Sequence, residues 1–201
     1  MEIHMVENGR LAQQLQFILE IDKLKSIYRR TLIANGERHE NSAEHSWHLA
    51  LCALVLHEHA NEPVDLARVI KMVLVHDIVE IDAGDTFLFD ETGNSDKVER
   101  EQRAASRIFG FLPNDQQAEL HQLWEEFEAR ETTDAKFAAT LDRLMPALHN
   151  RETQGFAWHE HSITSQQIMP KVAHMREGSE ALWDVVSDII TESIEKGFLR
   201  S

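Results

Sequence analysis

The chain has very little of what marks a secreted, membrane or fibrous protein. Its 201 residues include one cysteine, Cys52, which excludes a disulfide framework and a cysteine-based zinc site. No apolar run approaches the ~18 residues of a membrane span, and the opening MEIHMVENGR lacks the basic flank and apolar stretch of a signal peptide. With 8 glycines, 4 prolines and 42% hydrophobic residues, the composition predicts a compact globular protein of one domain, or of one domain with an appendage. The single cysteine fits a reducing, cytoplasmic setting.

Basic residues are scarce as well. Lysine and arginine total 20 against 35 acidic residues, so the formal net charge is −15 with histidine neutral. Proteins that bind long nucleic acid owe most of their affinity to clustered lysine and arginine. The composition therefore disfavours a protein that binds long nucleic acid. A small anionic substrate remains compatible with this charge if a local basic pocket or a metal ion offsets it.

Apolar residues recur at helical spacing along most of the chain. The pattern predicts helices over 11–28, from a capping box at Asn41 and Glu44, and from a cap at Asp65. Further helices are expected over about 96–109, 115–130, 133–149, 164–175 and 179–197, with a polar loop at 82–96. No alternating run indicates a strand, so the predicted fold class is an all-α bundle.

One apolar stretch, VLVHDIVEIDAGD at 73–85, carries an imidazole and four carboxylates. Burial of such groups is unfavourable unless each has a partner. His76 and Asp77 follow the apolar part of a helix and His45 lies just inside the preceding helix, so neighbouring helices can bring the three together. Neutral imidazole with carboxylate suits a first-row divalent ion. The alternative is a His–Asp pair that is hydrogen-bonded within the core.

Asp142 is a further acid on an apolar helix face, in ATLDRLMPALHN. Pro146 has no N–H to bond the carbonyl of residue 142, and its ring crowds that carbonyl, so we expect the helix to kink or end near Asp142. An acid at such a backbone irregularity is a plausible metal ligand. An ion pair with Arg143 or another cation is the alternative.

In order, SAEHSWH, VHDIVEIDAGD and LDRLMP resemble the H…HD…D signature of the HD-domain metal-dependent phosphohydrolase superfamily, and within it the branch of the 5′-deoxynucleotidases. His45 and His76 are 31 positions apart, and Asp77 and Asp142 are 65 apart. The resemblance implies that these four residues hold one divalent metal ion, of which Mn, Co, Mg, Fe, Ni and Zn all remain possible because cellular supply decides among them.

The resemblance also implies a domain organisation and an assembly. The whole chain, 1–201, is expected to be a single HD domain, a helical bundle with extra C-terminal helices. The metal-binding core would cover about 10–150, and the C-terminal helices about 151–201. Because members of the family are often dimeric, a homodimer is expected.

Two more acids match functional positions of the deoxynucleotidase branch. Glu80 is four residues after His76 and three after Asp77, so a continuing helix places it on their face. Asp85 follows Gly84. By resemblance, Glu80 and Asp85 are the catalytic groups that transfer protons or orient water. The alternatives are a surface acid at a helix end for Glu80 and a turn-forming acid for Asp85.

Substrate contacts rest on less specific matches. Arg30 lies 15 positions before His45, where the deoxynucleotidases carry an arginine that contacts substrate. The next position is a tryptophan that favours the deoxy sugar in characterised bacterial members, but it is Thr31 here, so the sequence does not decide between deoxy and ribo substrates. Arg38 and Lys97 are further candidates for phosphate binding, with solvated surface cations as the alternative.

The sequence therefore predicts a metal-dependent phosphohydrolase that releases phosphate from a small nucleotide, a (deoxy)nucleoside 5′-monophosphate, with neither long nucleic acid nor membrane as a partner. A phosphodiesterase or pyrophosphohydrolase acting on another nucleotide is the alternative enzyme. A non-catalytic helical metal-binding module is the alternative outside enzymes. Glu80 beside the ligand set argues against that module, because a structural metal site needs no open face or nearby acid–base group.

Overall fold

Helices form nearly all the regular structure in the computed structural model, which describes residues 9–90, 93 and 95–201. The longer α-helices are α1 (Gly9–Ile21), α2 (Ser42–Leu56), α3 (Leu66–Val75), α5 (Lys97–Phe109), α6 (Asn114–Ala129), α7 (Thr133–Glu152), α9 (Ser165–Val172) and α11 (Glu180–Glu195). Shorter ones are α4 (Glu80–Ala83), α8 (Phe156–Glu160) and α10 (Met175–Gly178), with 3-10 turns at Asp22–Ser26, His57–His59 and His76–Val79. The all-α prediction is confirmed.

Some sequence expectations fall on positions that lie outside the described residues. They are the opening segment, 1–8, in which no signal peptide was expected, and positions 91, 92 and 94 of the polar loop. Of the helices that are described, none combines the length and the hydropathy needed to cross a bilayer.

A small antiparallel ribbon replaces the end of the first predicted helix. The expected helix over 11–28 stops at Ile21, and strand β1 (Tyr28–Leu32) then pairs with β2 (His39–Asn41). The turn between them includes Gly36 at a φ of 74°, a conformation that glycine adopts without strain. Strands of five and three residues are too short to produce a recognisable alternating pattern, which is why the sequence indicated none.

The two expected helix caps are present. The side chain of Asn41 accepts from the backbone N–H of Glu44 at 2.9 Å, the reciprocal bond completes a capping box, and α2 begins at Ser42. The side chain of Asp65 accepts from the backbone N–H of Arg68 at 3.2 Å at the start of α3. These caps determine where the helices begin, and the first of them lies one turn before His45.

The core lies between α2, α3 and α7. The three helices pack through fully buried apolar side chains, among them Leu49, Met72 and Leu141. The C-terminal helices join the same hydrophobic cluster through Met175 and Val186. The helices that carry the predicted ligands are therefore held together by a continuous apolar core.

Helix α7 does not end near Asp142. It continues through Pro146 to Glu152, past the predicted end at 149. The side-chain amide of Asn150 donates to the carbonyl of Pro146 at 2.9 Å. Because Pro146 cannot donate to the carbonyl of Asp142, α7 lacks one helical hydrogen bond at the level of that aspartate.

Candidate metal centre

The four predicted ligands meet on three elements. His45 lies in the second turn of α2, His76 and Asp77 in the 3-10 turn that follows α3, and Asp142 in the middle of α7, and all four are buried. His45 Nε2 is 3.0 Å from Asp142 Oδ1, and His76 Nε2 is 3.8 Å from the same oxygen. His76 Nε2 is also 3.0 Å from Asp77 Oδ1. Ligand atoms of His45, His76 and Asp142 all lie within 4.8 Å of one another.

The orientation of His76 suits a metal ligand. Its Nδ1 lies 2.9 Å from the carbonyl oxygen of Val73, so Nδ1 carries the proton and donates. The Nε2 lone pair is then free, and this buried atom has no hydrogen-bond partner among the described residues. A backbone carbonyl that fixes the tautomer in this way is typical of metal-binding histidines.

A carboxylate lies beside the corresponding nitrogen of His45, without forming a hydrogen bond to it. Glu40, on β2, places Oε2 3.3 Å from His45 Nδ1, which favours the proton on that nitrogen. The Nε2 lone pair of His45 then faces the carboxylate oxygen of Asp142. Two acceptors 3.0 Å apart repel each other unless a cation or proton lies between them. This pairing, with the unpartnered Nε2 of His76, fits a divalent ion with nitrogen and oxygen ligands.

Arg29 of β1 also reaches this centre, although the sequence argument singled out Arg30 instead. Its Nη1 donates to Asp77 Oδ2 at 2.7 Å, and its Nη2 is 3.7 Å from Asp142 Oδ1. Burial lowers the pKa of Arg29, but the carboxylates of Asp77 and Asp142 outweigh burial and raise it above its usual value. The only signal available in the sequence was the adjacent pair of arginines, and linear spacing alone cannot say which one faces inward.

Glu80 and Asp85 lie together beside the centre. Glu80 is buried and its Oε2 accepts a hydrogen bond from Ser42 Oγ at 2.7 Å. Burial and the nearby Asp77 carboxylate raise the pKa of Glu80 well above its usual value. Burial also raises the pKa of Asp85, although Arg29 opposes that shift. The charge of Asp85 further raises the pKa of Glu80, so this pair of neighbouring acids is arranged to hold a proton.

The centre opens into a cavity of about 530 Å³. Besides His76, Asp77 and Asp142, its lining includes both proposed proton-transfer acids and the predicted substrate residues Arg30 and Lys97. Arg38 is not part of the lining. It forms a two-pronged ion pair with Glu44, with both distances 2.8 Å, on the exposed side of α2. The structure therefore brings Arg30 and Lys97 to the cavity, while Arg38 lies on the outer surface.

The cavity also contains two polar groups, Glu101 and Thr31, to which the sequence assigned no role in catalysis or binding. Glu101 of α5 lines it next to Lys97, whose Nζ lies 3.4 Å from Glu101 Oε1. Burial raises the pKa of Glu101 to about 7. Thr31 lines the cavity too, and its buried hydroxyl has no hydrogen-bond partner within the described part of the chain. Only the folded arrangement of β1 and α5 reveals these groups.

Asp82 is the remaining acid of the 73–85 stretch, and it faces away from the centre. Its Oδ1 accepts a hydrogen bond from Arg107 Nη2 of α5 at 2.7 Å. The polar residues of the 73–85 stretch thus have two different locations. His76, Asp77, Glu80 and Asp85 face the cavity, whereas Asp82 joins the stretch to a neighbouring helix.

Known proteins resemble the chain over most of its length. A family model described as HD domain matches residues 21–183. The 5′-deoxynucleotidase HDDC2 of Bos taurus is 34% identical over 148 residues, which cover 72% of this chain and 70% of the relative. The 5′-deoxynucleotidase HDDC2 of Homo sapiens is 32% identical over 139 residues, covering 69% of this chain and 67% of the relative.

Solved structures show the same arrangement of helices. A protein of Magnetospirillum magnetotacticum MS-1, described as a "Predicted metal-dependent phosphohydrolase", superposes with a TM-score of 0.92 at 50% identity. That match covers 96% of this chain and 97% of the other. The PH0347 protein of Pyrococcus horikoshii OT3 superposes with a TM-score of 0.64 at 21% identity, over 88% of this chain and 98% of the other, and supports the fold alone.

Proposed function

The chain belongs to the HD domain family, and from that premise we propose that it releases phosphate from a nucleoside 5′-monophosphate. It is a metal-dependent phosphohydrolase, as its family and its relatives indicate. The observation that carries the proposal is the buried group of His45, His76 and Asp142, with Asp77 at its edge, which opens into a cavity lined by arginines.

The ion would be held by His45, His76, Asp77 and Asp142. When bound, a divalent ion supplies a water molecule of lowered pKa and offsets charge on phosphate oxygens. Since two carboxylates already balance a dication, further cations are needed to attract a phosphate. Arg29 and Arg30 line the cavity beside these ligands, and a guanidinium matches the geometry of two phosphate oxygens.

Glu80 and Asp85 are proposed as the proton-transfer pair. Hydrolysis of a phosphate ester requires removal of a proton from the attacking water and delivery of a proton to the leaving oxygen. Burial raises the pKa of both acids and the charge of Asp85 adds to the shift of Glu80, so the pair favours a bound proton that it can transfer. The hydrogen bond from Ser42 to Glu80 keeps that carboxyl directed toward the centre.

The rest of the cavity would hold the nucleoside. Phe87, Phe89 and Trp158 line it and offer flat apolar surfaces for a base. Thr31 is small and lies beside Arg30, where a tryptophan would fill space next to the sugar. The preference for deoxy over ribo sugar is therefore a property to measure rather than to carry over from the relatives.

The experiment that tests the proposal is a substrate panel. Wild-type protein and Asp77→Ala are incubated with ribo and deoxy monophosphates, cyclic nucleotides and triphosphates in the presence of Mn²⁺, Co²⁺ or Mg²⁺, and phosphate and other products are measured. We expect phosphate release from at least one monophosphate by wild type only. Asp82→Ala is the matched control, because Asp82 belongs to the same stretch but pairs with Arg107 outside the cavity.

Three outcomes of the panel lead to different conclusions. If no nucleotide is turned over above the Asp77→Ala background with any ion, the proposal is wrong. If only cyclic nucleotides or triphosphates are cleaved, the enzyme is instead a phosphodiesterase or pyrophosphohydrolase. If a folded Asp77→Ala retains full activity, the assignment of Asp77 as a ligand fails, and circular dichroism establishes the folded state in each case.

We further propose that the chain acts as a cytoplasmic homodimer in which each protomer is a single HD domain. A stripe on α2 supports the dimer: Trp47, Leu51, Leu54 and Val55 are all exposed and lie on one helix face. The lone Cys52 accords with a reducing compartment. The shared core of the C-terminal helices and α7 supports a single domain.

A further inference from the structure

Three polar side chains outside the predicted ligand set converge next to it. They are Glu40, His48 and His149, and one possible ligand atom from each lies within 4.8 Å of the other two. Glu40 and His149 are only 3% and 4% exposed, and His48 is half-buried. A carboxylate and two imidazoles in such proximity form a set that binds divalent transition metals.

The helices that carry the first centre also place this second group. His48 follows His45 by three residues on α2, and His149 follows Asp142 by seven residues on α7. Residues that are three or seven positions apart lie on the same helix face. Each helix therefore places one side chain in the first centre and another in the neighbouring group. Glu40 enters from β2, just before the capping box that starts α2.

Two polar atoms of this group lack a hydrogen bond among the described residues, and one of them, Glu40 Oε2, has only looser contacts, which include His45 Nδ1 at 3.3 Å and Arg29 Nε at 3.8 Å. Glu40 Oε2 and His149 Nδ1 are buried and form no hydrogen bond with any described residue. Glu40 Oε2 lies 3.8 Å from His149 Nδ1, and the ring centroids of His48 and His149 are 6.2 Å apart. Buried polar atoms are ordinarily hydrogen-bonded, and a set that lacks such bonds calls for an ion or another ligand between its members.

We propose that Glu40, His48 and His149 bind a second divalent transition-metal ion, beside the one held by His45, His76, Asp77 and Asp142. Two neutral imidazoles and one carboxylate are a common first-row set, and three protein ligands leave coordination positions for water. Glu40 links the two centres, because its Oε2 also lies 3.3 Å from Nδ1 of His45. An ion on Glu40 therefore changes the partner of a ligand in the first centre, and metal binding at the two centres is coupled.

Metal content per chain tests this proposal without any reference to activity. Metal-free protein is equilibrated with Zn²⁺ or with Mn²⁺, excess ion is removed by gel filtration, and bound metal is measured by mass spectrometry. We expect two ions per chain for wild type, and one for each of His48→Gln and His149→Gln. His159→Gln is the matched control, because His159 is exposed and belongs to neither group, and it should retain two.

The variant Asp142→Asn tests the converse case, in which the first centre is disrupted and the second is intact. It should retain the ion at the second centre, so that its combination with His48→Gln removes both. One ion per chain in wild type overturns the proposal, and so do two ions in a folded His48→Gln protein. His48 is half-buried, so its substitution is decisive even if the buried His149 cannot be replaced without unfolding.

Discussion

Arg29 on β1 donates a hydrogen bond from Nη1 to Oδ2 of Asp77 at 2.7 Å, which joins the ribbon to the turn that carries the HD pair. The same guanidinium has its Nε 3.8 Å from Glu40 Oε2 and its Nη2 3.7 Å from Asp142 Oδ1. One buried cation thus lies among three carboxylates of the site. Arg143 is a second cation near Asp142, with its Nη2 3.3 Å from Asp142 Oδ2, but its side chain is more exposed than that of Arg29.

Replacement of Arg29 should therefore matter most when metal is absent. In metal-free protein, Arg29→Gln leaves buried carboxylates without their cation, and we expect a loss of about 3 kcal/mol in the free energy of unfolding. In metal-loaded protein the loss should be smaller, because the ion attracts the same carboxylates. Urea unfolding with a chelator and with added Mn²⁺ measures both values.

The same variant tests the proposed contact with phosphate. If Arg29 stabilises the transferred phosphate, kcat/KM of Arg29→Gln should fall by about 100-fold in metal-loaded protein. Arg103→Gln is a suitable control, because Arg103 is an exposed arginine that pairs with Glu99 at 3.4 Å. Equal losses of stability in metal-free and metal-loaded protein would show that Arg29 and the metal ion do not interact with the same carboxylates.

Substitutions at the two helix caps should distinguish an effect on stability from an effect on metal binding. Asn41→Ala and Asp65→Ala each remove a side-chain acceptor at a helix start, and each should lower the free energy of unfolding by ~1 kcal/mol. Only Asn41 lies beside Glu40 and one turn before His45. We therefore expect Asn41→Ala alone to weaken metal binding, as measured by calorimetric titration. Equal metal affinities in the two variants would show that the cap does not position the ligands.

Glu101 predicts a pH dependence of stability. Its ordinary pKa is 4.5, and burial raises it to about 7 in the folded state. Below about 4.5 both states hold the proton. Between 4.5 and 7 only the folded state holds it, so folding stability decreases as the pH rises, and above about 7 the loss is complete. The total loss is on the order of 3 kcal/mol.

The isosteric variant Glu101→Gln removes this dependence. In metal-free protein, the free energy of unfolding of the variant minus that of wild type should increase between pH 4.5 and pH 8. Urea unfolding at several pH values measures this difference. Glu99→Gln, two residues earlier on the exposed face of α5, should keep the pH dependence of wild type. A wild-type profile for Glu101→Gln would mean that this carboxyl is not the group whose burial matters.

Residue patterns predicted the starts of helices better than their ends. The caps at Asn41 and Asp65 involve neighbouring residues, so the sequence contains all the information that they need. The end of α1 and the short ribbon depend on tertiary packing, and so does the division of the expected 164–175 helix into α9 and α10. The persistence of α7 beyond Pro146 also reflects packing, because the helix is held on several sides by the core.

The same distinction applies to the site. His45, His76, Asp77 and Asp142 could be found because their order and flanks form a linear signature. Arg29 could not, because its partner Asp77 is 48 residues away and the ribbon that presents it was not predicted. The lining role of Glu101 and the convergence of Glu40, His48 and His149 depend on how β2, α2, α5 and α7 pack, which no local pattern contains.

The exposed stripe on α2 predicts the oligomeric state. Trp47, Leu51, Leu54 and Val55 are 60%, 40%, 50% and 68% exposed, and contiguous apolar faces of this kind commonly mark interfaces. Their positions lie on the opposite side of the helix from the buried His45 and Leu49. Burial of this face against a second copy would leave the cavity of each protomer accessible.

Sedimentation analysis of charge variants tests that interface. The mass of wild type measured by sedimentation should be twice the 23.1 kDa of one chain. The double variant Leu51→Glu, Leu54→Glu should be a folded monomer, because two charges buried in the interface oppose association. Val98→Glu is the control, since Val98 is a similarly exposed apolar residue on α5. A dimer that survives the α2 variants would place the interface elsewhere, and the exposed Leu15 and Ile18 of α1 are the next face to substitute.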